Sequence, residues 1–367
     1  MTVEYCRGCG SVMQSSDSNQ PGFIPENVQG KNRVCQRCYQ MIHYGKTGNV
    51  QLNSEQIKSS IRKAIALSRL LVIVADFSDL TGTLPAWSAW IADHPYLLVI
   101  NKLDLLPSRT NPTEIREYLK NYLADKFPRM PEAILLTSGL KGNGVALLLE
   151  EIKKATVPGV RIALLGMANV GKSSLIKRIL SIEKSPQAPT ISKFPGTTLG
   201  LSNWSIIKGR NTLIDTPGMA PGDRIGDLLC PECASRLVPT SKIGHKLWGI
   251  KPGKGLIIDN YFGIVQLGDA EAVVLTFVAP ELSFHRTDGS KVGAFLDDAP
   301  QWLGKICPKC SRHLKWKEET IGLNPHHDLG VAGLGWFSLR GMPTEFKIWY
   351  PEGVRIEIRP ALIGKKS

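Results

Sequence analysis

The stretch "GMANVGKSS" (Gly166–Ser174) satisfies the spacing G-x-x-x-x-G-K-[ST]. It stands between an apolar run that reads as a strand, "VRIALLG" (160–166), and a helical run, "SLIKRIL". In that setting Gly166 and Gly171 let the loop curl so that backbone N–H groups face phosphates. Lys172 adds a positive charge at the β- and γ-phosphates, and Ser173 offers its hydroxyl to Mg²⁺. Val170 and Ser174 belong to the same cradle. A second stretch, "NKLD" (Asn101–Asp104), ends another strand-like run, "YLLVINKLD" (96–104). The Asp104 carboxylate can accept both the N1–H and the exocyclic N2–H of guanine, a donor pair that adenine lacks. Asn101 would brace the loops and reach the base edge, while the stem of Lys102 covers its face.

Three further pieces fit the same chemistry. "DTPG" (Asp215–Gly218) closes the run "NTLIDTPG" (211–218). There Asp215 would hold Mg²⁺ through water, and the Gly218 N–H would sense the γ-phosphate. "FPGTT" (194–198) lies between cradle and DTPG in a Gly/Pro/Thr loop suited to a switch. Thr198 completes the Mg²⁺ shell, with Thr197 the alternative. "TSG" (Thr137, Ser138, Gly139) would close over the base through backbone amides. The five pieces read as a GTPase binding GTP or GDP with Mg²⁺. Their order is base reader, base closer, cradle, switch one, switch two.

An ordinary GTPase has the cradle first and the base reader later, so this order is a circular permutation. A parallel sheet tolerates one if the old termini were close and the new ones open at the surface. The second switch then leads directly into the C-terminal region. For hydrolysis, Lys172, Thr198, Gly218 and Asn169 are the candidates. Met219 stands where Ras-like enzymes carry a glutamine that orients water, which Met cannot do. Asn169 has the place of an asparagine that in some GTPases ligates K⁺, supplying charge where an arginine finger otherwise acts. A loop-stabilising asparagine is the alternative.

The eight cysteines form four CxxC pairs with none left over, which in a reducing compartment points to metal ligation. Cys6/Cys9 and Cys35/Cys38 are separated by 25 residues and match a closed structural zinc site. The polar stretch between them, "SSDSNQPGFIPENVQGKN", needs the metal to fold. Its neighbours Arg7, Lys31, Arg33, Arg37, Tyr39, His43, Tyr44 and Lys46 suit an RNA contact. Docking onto the GTPase domain suits them equally. Cys230/Cys233 and Cys307/Cys310, 73 residues apart, form a second Cys₄ zinc site that would staple the C-terminal region shut. Two exposed thiol pairs with a redox role are the alternative.

The elements that must position these residues alternate. The strand runs "LLVIVADF" (71–77) and "AILLTSG" (133–139) intersperse with the helical runs "NSEQIKSSIRKAIALS", capped by Asn53 or Ser54, and "NGVALLLEEIKKA". Such alternation implies an α/β domain with a parallel sheet covered on both faces. After about 225, Gly, Pro and short β-rich runs dominate. The chain thus divides into a zinc module (1–50), a circularly permuted P-loop GTPase domain (51–225) and a mostly-β domain (226–367). The 367 residues allow two or three domains, and 43% apolar residues suffice for real cores. No run approaches the ~18 apolar residues of a membrane span. The first residues show neither signal core nor transit pattern, so the expected place is the cytosol or a plastid stroma. The net charge of +13 favours a polyanion such as RNA over a merely solvated basic surface.

In its permuted order, cysteine module and β tail the chain resembles the YqeH family of circularly permuted GTPases. The matching stretches are "YCRGCG", "VCQRCY", "NKLDLLP", "NVGKSSLI", "FPGTTL", "LIDTPG", "HRTD", "GLGW" and "PEGVRIEIR". The resemblance implies a GTPase that assists small ribosomal subunit assembly on 16S-type rRNA. It also implies K⁺-stimulated hydrolysis and an RNA-binding C-terminal domain, acting without a membrane and as a monomer. Two departures stand out. Gly139 replaces a usual alanine, and the second CxxC set is absent from the familiar bacterial pattern, which points to a cyanobacterial or plastid branch. Competing readings are a GTP-gated RNA scaffold that hardly hydrolyses and a small-molecule P-loop kinase, against which "NKLD" argues.

Overall fold

Leu70–Asp76 is buried at all seven positions and Tyr96–Asn101 at all six. Unbroken burial without alternation is what parallel strands shielded on both faces require. The computed structural model describes residues 4, 6, 11–18, 20, 22–25, 35–36, 53–107, 110–184, 201–298, 300, 302–303 and 306–364. Contacts divide the chain into two compact units. The first comprises Met1–Asp76, Trp87–Leu103 and Pro128–Ala220; the second comprises Phe77–Ala86, Asp104–Phe127 and Pro221–Ser367.

The first unit is built on six strands: β1 (Leu70–Asp76), β2 (Tyr96–Asn101), β3 (Ala133–Leu136), β4 (Arg161–Gly166), β5 (Ser202–Ile206) and β6 (Asn211–Asp215). Their order is β3-β2-β1-β4-β6-β5. Every neighbouring pair is parallel except β5–β6. The expected parallel sheet therefore carries one antiparallel edge. The reason is local: Ile207, Lys208 and Gly209 have φ of 55°, 52° and 81° and reverse the chain tightly. A turn that short leaves no room for a parallel crossover.

Four described helices exceed eight residues: α1 (Ser54–Ala66), α2 (Pro112–Lys126), α3 (Val145–Ala155) and α4 (Lys172–Glu183). Asn53, not Ser54, caps α1: its side chain accepts from the Gln56 N–H, and Gln56 answers with its own side chain. Helix α2 was not legible as such in the motif reading; Asn111 caps it and Pro112 takes its first position.

The second unit holds ten strands: β7 (His245–Ile250), β8 (Lys254–Ile258), β9 (Phe262–Gln266), β10 (Ala272–Val278), β11 (Phe284–Asp288), β12 (Trp316–Leu323), β13 (His327–Val331), β14 (Gly335–Arg340), β15 (Thr344–Pro351) and β16 (Ile356–Pro360). They form two five-stranded antiparallel sheets, β16-β13-β14-β10-β7 and β11-β8-β9-β15-β12. The mostly-β expectation for the C-terminal region thus holds. One core draws on both sheets, with Phe262 of β9 stacked on Phe337 of β14 at 4.8 Å. Helix α2 belongs to this unit, and Tyr118 of α2 lies 5.7 Å from the buried Arg359 guanidinium. Among the described residues no helix is long and apolar enough to cross a membrane.

Candidate functional site

Strands β1, β2, β3, β4 and β6 run parallel, so their carboxyl ends share one edge of the sheet. In open α/β sheets that edge is where ligands bind, at the point where strand order reverses. Here the reversal lies between β1 and β4. "NKLD" begins on the last residue of β2, "TSG" follows β3, the cradle opens on the last residue of β4, and "DTPG" opens on the last residue of β6.

The Asn101 side chain, 2% exposed, joins three of these loops. Its Nδ2 donates to the Val170 carbonyl at 2.9 Å. Its Oδ1 accepts from the Gly139 N–H at 2.9 Å and from the Thr137 hydroxyl at 3.2 Å. The backbone adds a rung, with the Leu103 N–H donating to the Thr137 carbonyl at 2.9 Å. Ser138 closes its own loop by accepting the Lys141 N–H at its hydroxyl, 2.9 Å away. Asp104 stands in the short turn Leu103–Leu105, and the boundary between the units falls just before it.

The cradle's glycines are required by its surroundings. Gly171 has φ +92°, and an added Cβ would lie 2.3 Å from Asn101 Nδ2. At Gly166 a Cβ would meet the Val170 side chain at 2.8 Å and the Val74 carbonyl at 2.9 Å. At Gly218 it would meet Ala168 Cα at 2.8 Å and Lys172 Nζ at 3.3 Å. Lys172 is buried and donates to the carbonyls of Gly166 (2.8 Å) and Met167 (3.2 Å), so its ammonium sits inside the loop's curl. Ser173 and Ser174 occupy the first turn of α4. Asp215 is buried at the end of β6. An ammonium inside a glycine-walled loop, a helix start and a buried carboxylate on one sheet edge fit a phosphate chain with its Mg²⁺.

Two features escaped the sequence reading. Asp76 ends β1, lies opposite Asn101 in the strand register and forms an ion pair with Lys102. Its only signal in the sequence is an acid terminating a run of apolar residues. Lys102 itself has φ +65°. The second is a parallel bridge of Met167 to Met219, in which the Ala168 N–H donates to the Met219 carbonyl at 2.8 Å. The cradle and the second switch are therefore stitched together through the backbone of the residue that replaces glutamine. Asn169, read above as a K⁺ ligand or a loop-stabilising residue, is exposed with φ +68°. Asparagine tolerates that left-handed conformation better than most residues, so the backbone alone gives one reason for its type. Thr197 and Thr198, with the rest of "FPGTT", lie outside the described residues.

Comparison with known proteins converges on the same reading. The family described as 50S ribosome-binding GTPase (MMR_HSR1) matches residues 161–238, from β4 past the second switch. The uncharacterized protein YqeH of Bacillus subtilis is 23% identical over 371 residues, spanning 99% of this chain and 100% of that one. The chain has a circularly permuted P-loop GTPase fold and is similar to YqeH over its whole length. NO-associated protein 1, chloroplastic/mitochondrial, of Arabidopsis thaliana is 26% identical over 395 residues, covering 92% of this chain and 70% of that one. A GDP-bound YlqF structure aligns at 18% identity with a TM-score of 0.32, over 48% of this chain and 63% of that chain.

A second candidate site lies in the second unit. The sulfurs of Cys230, Cys233, Cys307 and Cys310 all lie within 4.8 Å of one another. Each pair opens a short helix in the same way, with the first cysteine at the cap and Pro231 or Pro308 at the first turn. The knuckles interlock through amides: the Cys230 N–H donates to Cys310 Sγ (3.1 Å) and the Cys307 N–H to Cys233 Sγ (3.2 Å). Cys230 Sγ and Cys307 Sγ are 3.8 Å apart, far beyond a disulfide bond. Tetrahedral Zn–S bonds of ~2.3 Å place sulfurs about 3.8 Å apart. Burial pushes the Cys233 and Cys310 thiols up, whereas the Cys310 amide pulls Cys307 down to about 7. Four sulfurs this close could hold a metal ion among them, and their spacing is compatible with Zn²⁺. At the N-terminus Cys6 and Cys35 are buried, and the Cys35 N–H donates to Cys6 Sγ at 3.0 Å. Their partners Cys9 and Cys38 lie outside the described residues, as do Arg7, Lys31, Arg33, Arg37, Tyr39, His43, Tyr44 and Lys46.

The clash at Gly171 predicts a coupled pair. Asn101→Ala strands the buried Val170 carbonyl and Gly139 amide, each costing about 1–3 kcal/mol, so labelled-GDP affinity should fall at least tenfold. Gly171→Ala should also weaken binding, but less in the Asn101→Ala background, where the steric part of its cost is gone. Strict additivity in fluorescence titrations would show that the two residues do not act on one another. For the cysteines, Cys230→Ser with Cys307→Ser should lower bound zinc by one ion per chain in elemental analysis. An unchanged zinc content would exclude this cluster as a zinc site.

Proposed function

We propose that this GTPase binds GTP and GDP with Mg²⁺ at the carboxyl edge of its parallel sheet and uses the cycle to assist ribosome assembly. The observation that carries the reading is the Asn101 side chain, which bonds the base-reading, base-closing and phosphate-binding loops to one another. In this reading Asp104 selects guanine, with Lys102 over the base and Thr137, Ser138 and Gly139 closing around it. Gly166, Val170, Gly171, Lys172 and Ser174 hold the phosphates. Ser173, Asp215 and Thr198 complete the Mg²⁺ shell, and Gly218 senses the γ-phosphate. Zn²⁺ occupies both cysteine sets.

The ribosomal assignment draws on the net charge of +13 and on the matched family's description as ribosome-binding GTPases. The resemblance in sequence selects the small subunit and its 16S-type rRNA as the partner, with the protein acting as a monomer in the cytosol or the plastid stroma. Hydrolysis is slow and K⁺-stimulated, with Asn169 as the K⁺ ligand. A GTP-gated RNA scaffold with little hydrolysis is the second reading. It is favoured by Met219, whose backbone is tied to Ala168 and whose side chain cannot orient water.

Asp104→Asn should shift preference from GTP toward xanthosine triphosphate in competition binding; unchanged selectivity would refute the guanine assignment. Asn169→Gly keeps the left-handed backbone and removes only the amide. It should retain GDP affinity while abolishing the difference in turnover between K⁺ and Na⁺. If the wild-type chain shows no such difference, even with small subunits present, the scaffold reading prevails.

A further inference from the structure

Two strands of the second unit are edges of different sheets: β7 of one and β11 of the other. Their side chains build a four-membered stack. The Trp248 and Phe284 rings lie 4.9 Å apart at 29°. The Arg286 guanidinium sits 4.9 Å from the Trp248 ring, and Lys246 Nζ sits 4.5 Å from the Phe284 ring. The rings pack against the main core yet stay half-buried, and both cations are exposed. Trp248 Nε1 donates to Thr276 Oγ1 at 3.3 Å, which fixes the indole.

The charge on this stack is unbalanced. Among the described residues neither Lys246 nor Arg286 joins an ion pair. The acid of β11, Asp288, is already engaged by Lys254 at 2.7 Å. Three other cations of this unit also lie over rings, Lys317 at Tyr350, Lys347 at Trp349 and Arg359 at Tyr118. Each of those has a carboxylate partner: Glu319 at 3.0 Å, Glu318 at 2.7 Å and Glu357 at 3.9 Å. The difference is therefore not in the cation–ring contact but in the missing carboxylate. The surrounding stretch 241–254 adds Lys242, Lys251 and Lys254 and contains no acid. Lysines on an edge strand commonly serve to block strand pairing. That role does not explain Arg286 on the neighbouring edge completing the same stack.

We propose that this stack is a binding platform for single-stranded RNA, with phosphates on Lys246 and Arg286 and a base against the exposed part of Trp248 and Phe284. The inference rests on the RNA reading above and gives it a location. Cations held in place over rings have already lost side-chain freedom, so less is lost when a phosphate arrives. Aromatic surface beside unpaired cations is the arrangement that binds single strands without base readout.

The test uses the full chain and a fluorescein-labelled 20-nucleotide single-stranded RNA, titrated by anisotropy over a salt series. Lys246→Ala with Arg286→Ala should bind about tenfold more weakly. Its log–log salt slope should be shallower by about 1.4, at ~0.7 per lost phosphate contact. Lys317→Ala with Lys347→Ala removes the same charge from paired positions and should bind as the wild type does. Wild-type binding that the first double variant leaves unchanged would overturn the platform while leaving the RNA reading intact. Equal losses in both double variants would reduce the effect to general charge and overturn it too. Polyglutamate competing as well as RNA would overturn the assignment to nucleic acid. Absence of any wild-type binding would overturn platform and RNA reading together.

Discussion

One primary amide organises the nucleotide edge. Asn101 donates to the loop after β4 and accepts from two groups of the loop after β3. Only an amide meets both demands: a carboxylate cannot donate to the Val170 carbonyl, and an apolar side chain would leave all three groups unpaired in a buried place. The amide's position also dictates Gly171, where any Cβ would overlap Asn101 Nδ2. None of these bonds depends on which loop comes first in the chain. They run across space between ends of parallel strands, and re-cutting the chain elsewhere leaves them in place. That is the physical reason the loop at 101–104 can precede the loop at 166–174 in the chain and still be bonded to it.

Local chemistry was legible in the sequence, and non-local pairing was not. The stretches at 101–104, 137–139, 166–174 and 215–218 are each a few consecutive residues at the end of a strand of one sheet, so type and spacing sufficed to mark them. Asp76 is different: its role lies in the ion pair with Lys102, and the sequence shows it only as an acid that ends an apolar run. Likewise the edge strand β5 turns antiparallel because of three left-handed residues at 207–209, of which only Gly209 advertises itself. Helix α2 and the segment 77–86 lie in the first third of the chain but cluster with the C-terminal strands. The buried Arg359 reaches the Tyr118 ring across 241 positions of sequence (359 − 118), a distance no periodicity reports.

The four-cysteine cluster shows the same division. Two CxxC pairs are visible at sight, but the crossing of amides, Cys230 to Cys310 and Cys307 to Cys233, is a property of the fold. It makes the two knuckles one object. Closing them encloses the 73 residues from Ala234 to Ile306, which include strands β7 to β11. The stack on β7 and β11 thus lies on a loop whose two ends are clamped together, a constraint that limits how far those edge strands can fray.

The step after the second switch is also fixed. Contacts cut the chain between Ala220 and Pro221, and the residues that follow are bound to their own unit at once. The Asp223 carbonyl accepts the Arg355 N–H at 2.8 Å while its carboxylate pairs with the Arg355 guanidinium. The Ile225 N–H donates to the Ala332 carbonyl at 3.0 Å, and Gly333 has no room for a Cβ against Ile225. Between Gly218 and this anchor stand only Met219, Ala220, Pro221 and Gly222, the last with φ +87° and open space around it. If the proposed cycle moved Gly218, the chain from Met219 to Gly222 would either carry the motion to Asp223 or take it up by rotation about Gly222. The permutation gives that alternative its importance, because it makes the second switch and the β sheets consecutive in the chain.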